Sequence, residues 1–75
     1  MTDELPMWVV YDHPSDYPYV FVARQHLIGI TGNTPTERLM AADDLESIRT
    51  ALANSGFVCL TRNENDDPKI VETWI

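Results

Sequence analysis

This sequence of 75 residues is poor in the side chains that most often carry chemistry: one cysteine, two histidines, three glycines and five cations. A lone cysteine excludes an intrachain disulfide, and two histidines beside it make no Cys/His set of zinc-site spacing. The glycines, Gly29, Gly32 and Gly56, are scattered and form no phosphate cradle. Ser15, Ser47 and Ser55 lie in no Gly-x-Ser-x-Gly turn, and Cys59 has neither a helix N-terminus nor a basic neighbour in sequence to depress its pKa. Neither an enzyme nor a cofactor is therefore expected.

Cations are as thinly spread. Arg24, Arg38, Arg49, Arg62 and Lys69 stand singly, whereas neutralising a phosphate backbone needs clustered charge, so direct nucleic-acid binding is not expected. No apolar run reaches the roughly 18 residues of a membrane span, and the longest candidate is broken by Arg24, Gln25 and His26. The segment Met1 to Pro6 is acidic, without the basic and apolar regions of a signal peptide. It reads as a flexible N-terminus on a cytoplasmic protein.

What is abundant is negative charge: twelve Asp and Glu give a net −7, with a pI near 4.4. With 44% hydrophobic and 23% charged residues the chain has the composition of a folded domain, and its length fits one domain, residues 1–75, with one modest core. A core of this size supplies only a few kcal/mol. With disulfide and metal set aside, dimerisation is the remaining way to reinforce it.

Along the chain, Met7 to Tyr11 and Tyr17 to Ile28 are β-branched and aromatic runs separated by the turn-forming Asp12-His13-Pro14-Ser15-Asp16, which predicts a hairpin with a long loop. Thr34-Pro35-Thr36-Glu37 has the form of a capping box with proline at the first helical position, so residues 35–41 read as either a helical turn or a short strand. A clearer start follows, where Asp43 can cap, Glu46 can reach back, and Leu45, Ile48 and Leu52 recur at helical spacing. An amphipathic helix over about Asp44 to Asn54, stopped by Gly56, is predicted. Phe57 to Arg62 and Lys69 to Ile75 complete a second hairpin around the acidic segment Asn63 to Pro68. The predicted fold class is α+β, β-β-(β)-α-β-β, a largely antiparallel sheet of four or five strands with the helix on one face.

Two segments invite a functional reading. Asp12, His13 and Asp16 gather an imidazole and two carboxylates, yet these are also ordinary turn residues, and a metal site would need a further ligand such as the distant His26. Asn63, Asn65 and Asp67 alternate like the start of a calcium loop, but no glycine stands sixth and the twelfth position is Trp74. Neither predicts a metal. Cys59, inside Phe57-Val58-Cys59-Leu60, reads as a small buried hydrophobe. Trp8, Tyr11, Tyr17, Tyr19, Phe21, Phe57 and Trp74 are expected to fill most of the core, while a single helix leaves part of the opposite sheet face open to another chain.

The phrases Met7-Trp8-Val9-Val10-Tyr11-Asp12-His13-Pro14, Phe21-Val22-Ala23-Arg24, Leu45-Glu46-Ser47-Ile48-Arg49 and Asp67-Pro68-Lys69-Ile70-Val71-Glu72-Thr73-Trp74-Ile75 resemble those of small uncharacterised bacterial proteins. The resemblance spans most of the chain and implies a bacterial or phage setting, without functional residues. In that setting the leading expectation is an inhibitor, of the type of phage DNA mimics and anti-CRISPR proteins, whose carboxylates engage a basic, nucleic-acid-binding surface on a protein partner. The residues expected to carry this are Asp12, Asp16, Asp43, Asp44, Glu46, Glu64, Asp66 and Asp67. A homodimeric structural or regulatory module using the open sheet face is the alternative. A small metal-dependent or acid-base enzyme built on Asp12, His13 and Asp16 is the third.

Overall fold

Alternating apolar residues and a single helical stripe become, in the computed structural model, five strands and one helix; the structure describes residues 4–30, 32–60 and 69–75. In chain order the elements are β1 (Leu5–Asp12), β2 (Phe21–Gly29), β3 (Gly32–Ala42), α1 (Leu45–Asn54), β4 (Cys59–Leu60) and β5 (Ile70–Trp74). Every strand pair is antiparallel, and the sheet runs β3-β2-β1-β5-β4. The first three strands form a meander. The helix then carries the chain back across one face, so that the second hairpin joins the opposite side with β5 against β1.

The fold is the predicted α+β arrangement, and it resolves the ambiguity at residues 35–41 as strand. The capping-box pattern at Thr34 to Glu37 loses to a ladder with β2 that pairs Leu27 with Thr34 and Arg24 with Leu39, broken by an irregularity between Arg24 and His26. Pro35 is tolerated because β3 is an edge strand. Thr36 fixes the irregular stretch: its hydroxyl donates to the Gln25 carbonyl at 3.1 Å, and Arg24 Nη1 donates to the Thr36 carbonyl at 3.0 Å.

Three local expectations are corrected. The N-cap is Asp44, not Asp43, and its carboxylate accepts the Ser47 N–H at 3.3 Å. Residues Tyr17 to Val20 belong to the loop, because Pro14 and Pro18 have no N–H to give a ladder. There the Tyr17 N–H turns back to the Pro14 carbonyl at 2.9 Å, and Tyr19 is 86% exposed. Among described residues β4 is only Cys59–Leu60, extended by reciprocal bonds of 2.7 and 2.9 Å between Val58 and Ile75; Thr61 and Arg62 lie outside the described residues.

Strand alternation sorts the core. Val10, Ala23 and Trp74 face the helix and bury with its Ile48 and Leu52, while Trp8, Phe21, Met40, Leu45, Phe57 and Val71 pack around them. Trp8 meets Phe57 edge-on, with ring centroids 6.3 Å apart. Val71 is the additional residue where the β1–β5 register shifts between Val10 and Tyr11, which lets it join this cluster out of alternation.

Candidate functional site

The carboxylates sort by the ends of the strands. Asp12 ends β1 and pairs with Phe21, which pairs with Ala42, and Asp43, Asp44 and Glu46 follow directly as the chain enters α1. Neighbouring strands lie about 4.8 Å apart, so Asp12 stands roughly 10 Å from the start of the acidic helix turn. The chain also enters β5 here, the Asp12 N–H donating to the Lys69 carbonyl at 2.8 Å. The predicted binding residues Asp12, Asp43, Asp44 and Glu46 therefore share one end of the molecule. Glu64, Asp66 and Asp67 lie outside the described residues.

Part of this charge has structural work. The Asp44 carboxyl is held below its ordinary value by its bond from Ser47. Asp12 contacts the ring Nδ1 of His13, which adopts a left-handed backbone (φ 48°) and leans on Phe21 with centroids 4.9 Å apart. Asp16 is drawn to the face away from the helix, its carboxylate 3.8 Å from Arg24 in a hollow of about 220 Å³ shared with Tyr11, Pro14 and Val22. Asp43 and Glu46 are exposed to solvent.

His26 pairs with Met7, roughly 17 Å along β1 from Asp12, and its Nδ1 bonds the Asn33 side chain at 2.9 Å. It therefore does not join Asp12, His13 and Asp16. Among the described residues, no three His, Cys, Asp or Glu side chains stand close enough to hold a metal.

A half-buried ion pair escaped the sequence reading. Glu72, 5% exposed on the helix side of β5, accepts Arg49 Nε at 3.0 Å, Arg49 Nη2 at 2.8 Å and the Trp74 indole N–H at 2.6 Å. Desolvation pushes this carboxyl up, but the bonds from Arg49 and Trp74 outweigh it and leave the pKa lowered. The pair ties α1 to the sheet. A glutamate alternating with Val71 and Thr73 looks like a solvent-facing strand residue, so only the placement of Arg49 over it gives it away.

At the opposite end of the strands the surface is apolar. Leu5, Pro6, Ser55, Gly56, Phe57, Val58, Leu60 and Ile75 line an open groove of about 500 Å³. Its residues come from the start of β1, the end of α1 and the β4–β5 pair. Cys59 beside it is exposed, contrary to the expectation of burial, because among the described residues β4 is the edge of the sheet. Desolvation of the sulfur, reinforced by the Glu72 charge, nonetheless raises its pKa, which disfavours a reactive thiolate. No helix among the described residues is long and apolar enough to cross a membrane. No protein-family model, curated protein or solved structure matches the chain.

Proposed function

We propose that this chain is a small acidic protein-binding module, an inhibitor that applies its acidic end to the basic, nucleic-acid-binding surface of a protein partner, as DNA mimics and anti-CRISPR proteins do. The observation that carries the reading is the convergence of Asp12, Asp43, Asp44 and Glu46 on one end through the Asp12-Phe21-Ala42 pairing. A net charge of −7 smeared evenly would serve solubility alone; concentrated carboxylates on fixed backbone make a directed field that steers a cationic groove toward them. The core elements supply rigidity, so the carboxylates need little ordering on binding.

The test uses a variant carrying Asp12→Asn, Asp43→Asn and Glu46→Gln, which removes charge while leaving the Asp44 cap in place. Tagged wild-type protein is incubated with bacterial lysate at low salt, the captured protein is identified by mass spectrometry and purified, and association rates are measured against salt. The expected result is a nucleic-acid-binding partner whose association slows by about tenfold or more in the variant, and likewise as salt is raised. Capture that ignores both salt and the triple substitution would overturn the proposal.

A further inference from the structure

The sheet register gathers the exposed aliphatic side chains at the end away from the acids. Leu5 pairs with Ile28, Trp8 pairs with Trp74, and Val58 exchanges both backbone bonds with Ile75. Paired residues share a face, so Ile28, Leu5, Ile75 and Val58 form a stripe across β2, β1, β5 and the β4 edge on the side opposite the helix. Leu60, opposite Thr73, continues it. Exposures are 67% for Leu5, 63% for Val58, 50% for Ile75, 41% for Leu60 and 36% for Ile28.

Ile30 adds a projection at this end. It sits in the turn between β2 and β3 and is 95% exposed, so it touches almost nothing of its own chain. The preceding Gly29 lies against Glu4, where a Cβ would stand 3.2 Å from the Glu4 Cγ, and Glu4 leads directly into Leu5 and Pro6 of the groove. A projecting isoleucine and an apolar groove thus lie at the same end of the molecule, the isoleucine following β2, one strand over from the Leu5 and Pro6 of β1 that line the groove. Such a pair is what a two-fold contact requires, since each copy then offers what the other receives.

We infer that this end of the molecule is where two copies of the chain join, the Ile30 side chain of each copy seated in the groove of the other. Area is the first support. The six aliphatic residues, backbone included, together expose roughly 600 Å², against the roughly 800 Å² that each partner of a stable interface buries, and the polar rim supplies the difference.

Charge is the second support. Two chains of −7 repel, yet none of the eight groove residues has a charged side chain, and the Glu4 carboxylate stands at the margin of the groove. The acids at Asp12 and the helix start stand about 24 Å away along β1, more than twice the Debye length at physiological salt. Joining at the groove therefore keeps the two acidic ends apart and facing outward. A cationic partner would instead be drawn to those ends, which is why a second copy is the occupant that suits the groove.

Sedimentation equilibrium on the full chain tests the inference, with Ile30→Asp and Val58→Asp as variants; both sites are exposed enough that far-UV circular dichroism should stay unchanged. Wild type is expected at about twice 8.6 kDa at tens of micromolar, with each variant weakening self-association about tenfold or more. Raising salt should leave the dimer intact or tighten it, the opposite of the partner binding proposed above, and Asp43→Asn with Glu46→Gln should not disturb it. A wild-type monomer at about 100 µM, or a dimer that survives both Ile30→Asp and Val58→Asp, overturns the inference. Either result leaves the acidic-end reading standing.

Discussion

Glu72 joins helix and sheet through one side chain, accepting from Arg49 on α1 and from Trp74 on its own strand. Its side chain is 6% exposed and that of its partner Arg49 is 45% exposed, so half of the pair is still in water. Removing Glu72 as Glu72→Gln should cost about 2 kcal/mol, below the range for fully enclosed pairs, because Arg49 can turn to solvent. Arg49→Met should cost more, since it strands the buried carboxylate. The pH dependence has a fixed sign. A carboxyl whose folded pKa lies below its ordinary value of 4.5 contributes stability that is complete above that value and is lost as pH falls through the folded pKa. Thermal melts should therefore drop on acidification below about 4.5 in wild type, with a shallower drop in Glu72→Gln. Equal slopes for the two proteins would remove Glu72 from the account.

The helix is the element whose boundaries depend most on single residues. Asp44 caps its first turn, and at the other end Gly56, with φ 91°, takes the left-handed conformation while its N–H reaches the Ala53 carbonyl at 3.1 Å. An added Cβ at Gly56 would meet nothing within 4 Å, so Gly56→Ala should cost only the backbone penalty, about 1 kcal/mol, read from urea midpoints with an unchanged slope. Asp44→Ala should lower Tm while Asp44→Ser restores it, because a serine hydroxyl caps as an aspartate does. The periodicity of Leu45, Ile48 and Leu52 made this element readable in advance. The third strand was not, because Thr34 to Glu37 carries local helix-start chemistry, and its strand state is set by partners in β2 that lie up to about twenty residues away in sequence.

Two opposed ends organise the molecule as a whole. Acids gather where β1 and β3 finish and α1 starts; aliphatics gather where β1 starts and α1 finishes. The antiparallel meander and the returning helix produce this segregation, since each of them carries the chain from one end to the other. Between the ends the core is thin. Leu52, fully buried against Val10, Ala23 and Trp74, is central to it, and Leu52→Ala should cost about 3 kcal/mol, comparable to the whole stability of a domain this small. Substantial unfolding at 25 °C is the expected outcome in urea titrations. A well-folded variant would mean that stability comes from elsewhere.

From its sequence alone this protein was determined to be an acidic α+β domain with one amphipathic helix, since those properties follow from composition and from spacings over a few residues. Val10, Ile48, Leu52 and Trp74 were readable as apolar, and Asp43, Asp44 and Glu46 as a helix start. Tertiary structure decided which of them meet. It sent Tyr17 and Tyr19 to a solvent-facing loop, left Cys59 exposed on an edge, and buried Glu72 beneath Arg49. It also placed Asp12 with the helix-start acids, and Leu5 with Val58 and Ile75. Those outcomes depend on strand order and register, which bring together residues distant in sequence, and no local pattern encodes such pairings. Negative charge was thus legible as an amount, and only the folded sheet made it a place.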